Sequence, residues 1–332
     1  MRTTECQLPG DVAPLACYQQ QTVLVTGASG FTGTHCTAAL QASGAVVVPM
    51  SQHSHTCPPS TQSYRGDLCD PVLIARMLRQ VQPGYVLHLA SLTPAREGAS
   101  LATMMRTNAL GTAILLDGVR TECPHATTVL VSSGAVYGDT PGVALVETCA
   151  LAPHSAYGAS KAAQEMAALA MGTQHGMRIM RARPFNLVGP GEPPGLLCSA
   201  LARQIAAAEC GLAPPRIQVG RLDTQRDFLD IRDAVAAYLL LGAHGCPGEA
   251  YNVCSGQAVQ IGEILERLLA MAQVPLEVTR HTLTVGSPVQ VQWGNADKLQ
   301  RATGWQPQIP LAQSLADLLT WWRQQLAKQG QT

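Results

Sequence analysis

Three glycines spaced G-x-x-G-x-x-G (Gly27, Gly30 and Gly33) follow directly on the apolar run Thr22-Val-Leu-Val-Thr26. A short apolar run of this kind reads as a buried strand. Glycines placed immediately after it make a tight turn in which the backbone can come close to a ligand. Residues 32–43 read as the next helix, ended by Gly44. Strand, glycine turn and helix in this order present peptide N–H groups at a helix N-terminus, a site suited to a pyrophosphate. The spacing differs from the G-x-G-x-x-G fingerprint, but the physics is shared. A turn that only joined strand to helix would need fewer glycines.

The same alternation continues along the chain. Ala45-Val-Val-Val-Pro49 reads as the second strand, and the polar residues 50–65 as a loop. Asp70 is placed to cap a helix that starts at Pro71 and runs to about Gln82. Tyr85–Ala90 and Thr127–Ser132 read as strands separated by a helix over roughly 99–121. A helix over 155–175 precedes a strand, Arg178–Arg183, that ends at Pro184. Strands alternating with helices predict an α/β chain with a doubly wound, Rossmann-like parallel sheet. After Asn186 the chain turns rich in Gly and Pro, and the regular alternation stops. The expected organisation is a flexible tail over 1–20, a dinucleotide-binding domain over 21–186, and a smaller C-terminal α/β substrate lobe over 187–330. Some segments of the lobe should return to the first domain.

Composition narrows the function classes. Apolar residues make up 46% of the 332 and charged residues 13%, enough for a large core. The 22 basic and 22 acidic residues cancel, so no global basic field draws nucleic acid or an anionic membrane. No run approaches the roughly 20 apolar residues of a membrane span. Residues 1–20 lack the apolar stretch of a signal peptide. The eleven cysteines are scattered, without a Cys-x-x-Cys pair, which argues for reduced packing cysteines in a cytoplasmic protein and against a metal site.

The second motif, Tyr157-Gly-Ala-Ser-Lys161, sets a phenol and an ammonium one helical turn apart. A free tyrosine has a pKa of about 10, and a lysine four residues on can lower it by its charge. Ser132 and Ser133 end a parallel strand at its carboxyl edge, where such sheets bind ligands. A hydroxyl there can hold a substrate oxygen against the phenol. With the glycine cradle upstream, this set suits reversible carbonyl/alcohol chemistry on a bound nicotinamide. Tyr-x-x-x-Lys alone occurs often on solvated helix faces; its position after the cradle gives it weight. Asp67, followed by Leu68, can accept from an adenine amino group, or simply cap a helix. The second strand ends in Met50-Ser51-Gln52-His53, with no acid to repel a ribose 2′-phosphate, which favours NADPH with NADH still open. No Arg stands there to clamp one either; Gln52 occupies about that position.

Together these residues resemble the extended short-chain dehydrogenase/reductases of the epimerase/dehydratase family that act on nucleotide sugars. The resemblance runs from about residue 21 to 325. It is carried by the glycines, His88-Leu-Ala, Ser132-Ser133-Gly-Ala-Val-Tyr-Gly138, Tyr157-x-x-x-Lys161, Arg183-Pro-Phe-Asn186, Arg226-Asp-Phe228, Tyr251-Asn-Val-Cys-Ser-Gly256 and Thr303-Gly-Trp-x-Pro307. The C-terminal half looks most like the GDP-4-keto-6-deoxy-D-mannose reductases, which form GDP-D-rhamnose, usually with NADPH. The resemblance implies Ser133, Tyr157 and Lys161 as the catalytic set. The pyrophosphate side would involve Gly27, Ser29, Gly30, Phe31, Thr32 and Gly33. Ser51, Asp67, Leu68, Leu89 and Ala90 would line the remainder of the cofactor, which also meets Tyr157 and Lys161. Substrate would meet Ser133, Asn186 and Arg226, with Arg203 and Gln204 as candidates for the base. Arg226 could equally be a surface ion pair with Asp223 or Asp227, and Gly220-Arg221 replaces a frequent Gly-Asn. The 4,6-dehydratases carry acids directly after the catalytic hydroxyl; here Gly134 and Ala135 cannot move a proton. A nucleotide-sugar 4-epimerase holding NAD, and a non-catalytic nucleotide-binding protein on the same fold, are the alternatives. The family also implies a homodimer built on the two long helices.

Overall fold

The computed structural model describes residues 13–52, 62–94, 98–139, 142–280 and 289–329. In chain order the strands are β1 (Thr22–Thr26), β2 (Val46–Ser51), β3 (Tyr64–Arg65), β4 (Tyr85–His88), β5 (Thr127–Val131), β6 (Ile179–Pro184) and β7 (Asn186–Val188). They continue with β8 (Arg216–Val219), β9 (Gln225–Arg226), β10 (Phe228–Asp230), β11 (Ala250–Val253), β12 (Val259–Gln260), β13 (Glu277–Arg280) and β14 (Val291–Gln292). The helices are α1 (Phe31–Ala42), α2 (Pro71–Val81), α3 (Leu101–Met104), α4 (Gly111–Glu122) and α5 (Ala156–His175). Then follow α6 (Leu197–Glu209), α7 (Ile231–His244), α8 (Ile261–Ala270), α9 (Asp297–Thr303) and α10 (Leu311–Gln329).

Seven strands form one parallel sheet in the order β11-β6-β5-β4-β1-β2-β3. The chain winds outward in both directions from the β1–β4 junction, which makes that junction the switch point where such sheets bind ligands. Alternation along each strand separates two cores. Val23 and Val25 of β1 pack with α1 and α7, while Leu24 packs on the other face with Ile74, Leu78 and Leu115. Asp70 caps α2 as its position predicts, accepting from the N–H groups of Val72 and Leu73.

The second half is split. α7 covers the first sheet and β11 extends it, so part of the C-terminal sequence belongs physically to the Rossmann layer. The rest forms a third core under α6, α8 and α10, with the small sheets β10-β7, β12-β9-β14 and β13-β8.

Three expectations are corrected. The tail expected over 1–20 is ordered structure from residue 13: Ala13–Tyr18 is a 3-10 helix, and Tyr18 is buried with its hydroxyl donating to the carbonyl of Leu239. Residues 1–12 lie outside the described residues. The expected loop over 50–65 ends in β3, which pairs with the end of β2; residues 53–61 of it lie outside the described residues. The helix expected over 99–121 is α3 and α4 joined through a π-helical stretch, Met105–Leu110. That stretch turns Asn108 inward, where it clamps the main chain of Leu92 through both amide atoms and donates to Ser160 Oγ.

Candidate active site

The cradle is shaped by what its glycines lack. Gly27 sits at φ +70, and a Cβ there would lie 2.8 Å from the Ala90 backbone. A Cβ on Gly33 would lie 2.2 Å from the Gly27 carbonyl oxygen, so the start of α1 rests directly on the turn. Gly30 is the N-cap of α1 and supplies no side-chain hydrogen bond. The first-turn N–H groups are thus left for an anion, the arrangement a pyrophosphate requires. Ser29 and Gly30 are exposed at the tip; Phe31 and Thr32 are half-buried behind them. This close approach of backbone fits a dinucleotide cofactor.

Beside the cradle, Ala28 N–H donates to the Met50 carbonyl at the end of β2, and Ser51 is buried next to it. Leu89 and Ala90 leave β4 alongside β1, tied by their N–H groups to Thr26. Leu68 is buried. Asp67 is not a free acceptor: Oδ1 takes the Cys69 N–H at 2.9 Å and Oδ2 the Arg106 guanidinium at 2.8 Å. The Cys69 N–H above all, with Arg106, holds its carboxyl below the usual range.

At the carboxyl edge of β5 the chain passes through Ser132 and Ser133. Ser133 Oγ caps a 3-10 turn, accepting from Ala135 N–H at 3.1 Å. Ser155 caps α5 and places Tyr157 in its first turn. The Tyr157 phenol lies beside the Ser133 and Ser91 hydroxyls; burial pushes its pKa up, and those two hydroxyls pull it the other way. Lys161 is buried behind, its Nζ donating to the Val131 carbonyl at 2.7 Å. Burial lowers its pKa to about 7, against an upward pull from Glu165. Burial is thus the largest influence on both groups: it holds the Tyr157 phenol up and makes Lys161 a weaker cation than a free lysine. Ser132 Oγ is buried at the same edge without a hydrogen-bond partner among the described residues.

A polar layer underlies this edge. His88 bridges Thr26 Oγ1 (2.6 Å) and Thr112 Oγ1 (2.7 Å), and burial drops its pKa to about 3, so it is neutral. Arg183 makes a bidentate bond to Glu165, one turn beyond Lys161, and donates to the Tyr137 hydroxyl, which in turn donates to Asn252. Sequence reasoning missed Asn108, Glu165 and Gln164, whose Nε2 donates to Thr112 Oγ1 at 2.9 Å. Asn108 had no local signal, whereas Glu165 stands four residues after Lys161 on the same face and could have been found.

On the substrate side, Asn186 is exposed and donates to the Asp227 carbonyl at 2.8 Å. Arg226 donates to the carbonyls of Gln225, Gln290 and Val289. The carboxylates weighed as its partners are engaged elsewhere: Asp223 pairs with Arg221, and Asp227 accepts from Ser255, Gly256 and Gly294. Arg203 is exposed on α6 with its guanidinium over the Trp322 ring. Gln204 is occupied, bridging α6 to the β8 main chain at Gln218.

Comparisons with known proteins agree with this architecture. The profile of the NAD dependent epimerase/dehydratase family matches residues 23–254. A GDP-6-deoxy-D-mannose reductase from Pseudomonas aeruginosa is 36% identical over 315 residues, which is 93% of this chain and 99% of that protein. The solved structure of RMD from Pseudomonas aeruginosa complexed with NADPH has a TM-score of 0.81 at 36% identity, covering 92% of this chain and 99% of its own. A putative epimerase from Burkholderia cenocepacia has a TM-score of 0.80 at 31% identity, with 92% and 99% covered. The chain belongs to the NAD dependent epimerase/dehydratase family.

Proposed function

We propose that the protein reduces the C4 ketone of a nucleotide-linked 4-keto-6-deoxy sugar, GDP-4-keto-6-deoxy-D-mannose to GDP-D-rhamnose, with NADPH. The observation that carries this reading is the pairing of Ser133 and Tyr157 at the carboxyl edge, followed by residues that cannot move a proton. Gly134 and Ala135 stand where a dehydratase needs acids, and a Cβ on Gly134 would already lie 3.2 Å from the Phe185 ring. The relative from Pseudomonas aeruginosa supports the same substrate class, and its structure the same cofactor.

The glycine cradle would hold NADPH, which when bound would supply the hydride. Ser133 donates a hydrogen bond to the C4 oxygen and orients it. Tyr157 gives that oxygen its proton as the alkoxide forms. Lys161, anchored by its Nζ on the Val131 carbonyl, favours in its protonated form the phenolate left behind. Asn186 and Arg226 flank the nucleotide, and Arg203 lies on the helix facing the base. The exposed apolar residues Leu101, Leu110, Met166 and Leu169 along the two long helices support a homodimer. The nine described cysteines are free thiols, which supports a reducing, cytoplasmic setting.

The test is consumption of NADPH on addition of GDP-4-keto-6-deoxy-D-mannose, with the sugar product identified by NMR. Stoichiometric oxidation yielding GDP-rhamnose is expected, with a loss of about 10²- to 10⁴-fold in Tyr157→Phe. No turnover, together with NAD retained through purification, would replace this reading with a 4-epimerase.

A further inference from the structure

The sequence places no arginine at the end of the second strand, but the fold brings one there from the strand beside it. β3 pairs with β2 in parallel, setting Tyr64 against Met50 and Arg65 against Ser51. Paired residues on neighbouring strands stand about 4.8 Å apart and share a face of the sheet. Met50 and Tyr64 pack in the core that includes α2, and the Tyr64 hydroxyl donates to Gln80 on that helix. Alternation therefore turns Ser51 and Arg65 to the opposite face, the one carrying α1 and the cradle. The Gly66 N–H donates to the Ser51 carbonyl at 3.1 Å and fixes this register.

The Arg65 guanidinium is exposed and makes no hydrogen bond or ion pair to another described residue. The acid two residues on does not compete for it, because Asp67 is paired with Arg106. The end of the second strand is where a dinucleotide's adenosine ribose is read: an acid selects the 2′-hydroxyl, and a nearby arginine accommodates a 2′-phosphate. Ser51 and Gln52 offer no carboxylate at that point. An arginine with its fork free matches a phosphate bidentately.

We propose that Arg65, delivered in register by β3, is the cation that binds the adenosine 2′-phosphate and sets the preference for NADPH over NADH. The inference rests on the cradle holding a nicotinamide dinucleotide, and it identifies the specificity-determining residue of that site.

Calorimetric titration without any sugar tests it directly. NADPH, NADH, adenosine 2′,5′-bisphosphate and 5′-AMP are titrated into the full chain and into Arg65→Met and Arg65→Lys. Arg65→Met should weaken NADPH and the bisphosphate by about 10- to 100-fold, while NADH and 5′-AMP stay within about twofold. Arg65→Lys, which keeps the charge, should recover part of the loss. An unchanged NADPH affinity in Arg65→Met overturns the proposal, as does an equal loss for NADPH and NADH. The readout is independent of turnover. A protein that discriminates the 2′-phosphate but reduces no keto sugar refutes the reductase alone, and the reverse pattern refutes the role of Arg65 alone.

Discussion

The cofactor side and the substrate side of this cleft are built by opposite means. Around the cradle the geometry comes from main chain brought into contact where side chains are missing: Gly33 lies against Gly27, and Gly27 against Ala90. Nothing there has to move before a pyrophosphate can meet the first turn of α1. On the substrate side, the polar groups already have internal partners. Asn186 and Arg226 donate to backbone carbonyls, Arg221 holds Asp223, and Gln204 holds β8. A nucleotide sugar has to exchange those bonds for its own. Preorganisation is thus concentrated on the cofactor, and adaptability on the sugar nucleotide.

The strongest way to break this contrast is to add one side chain to the cradle. Gly33→Val places a Cβ 2.2 Å from the Gly27 carbonyl oxygen and 2.7 Å from the Ala28 Cα. The clash is with backbone, so no rotamer relieves it. The cost should reach or exceed the about 1–3 kcal/mol typical of overpacking, and NADPH fluorescence enhancement should vanish. A variant that still binds NADPH normally would show that the cradle is not preorganised.

After the cradle, whose loss abolishes cofactor binding outright, comes the buried pair beneath the catalytic edge, whose loss is read in stability. Glu165 is fully buried and neutralises Arg183 at 2.7 Å, with Arg181 at 3.5 Å. Glu165→Gln leaves two arginines underneath Lys161 without their carboxylate. Urea unfolding should register a loss of about 3–5 kcal/mol. Removing Glu277 from its exposed pair with Arg216 in the lobe should produce no resolvable change. Similar effects at both sites would erase the distinction between a rigid half and an adaptable one.

The parts legible from sequence were those decided locally. β1 announces itself as an apolar run, Asp70 with Pro71 as a helix start, and Tyr157 with Lys161 as one face of a helix. Other features depend on partners far along the chain. Tyr18 is buried because Leu239, in α7, accepts its hydroxyl. β3 is two residues long and exists only through its pairing with β2. The π stretch that aims Asn108 leaves no mark on apolar periodicity, because its reward is the clamp on Leu92. Arg226 finds its carbonyls more than sixty residues away, at Val289 and Gln290. Partners outside the local window, rather than chemical subtlety, explain these features; Glu165, four residues after Lys161, is the exception that was local and still missed.

The smallest effect separates the two halves by pH. His88, under the cofactor edge, is held at a pKa of about 3, below its ordinary 6.5. The unfolded chain takes up that proton first, so this contribution to stability is present above pH 6.5 and is lost as pH falls toward 3. Glu192, between β7 and α6 in the lobe, behaves in the opposite sense. It is buried, its Oε2 lacks a hydrogen-bond partner among the described residues, and burial pushes its carboxyl up from 4.5 to about 8. Here the folded chain keeps a proton that the unfolded chain has released. Its contribution is present below pH 4.5 and is lost as pH rises through 8. Glu192→Gln keeps the shape and removes the titration. Thermal melts should therefore show the variant gaining on the order of a few degrees over the parent at pH 8.5, with little difference at pH 4.5. An equal difference at both pH values would mean that the buried carboxyl of the lobe does not titrate in this range, and that both halves owe their pH limits to other groups.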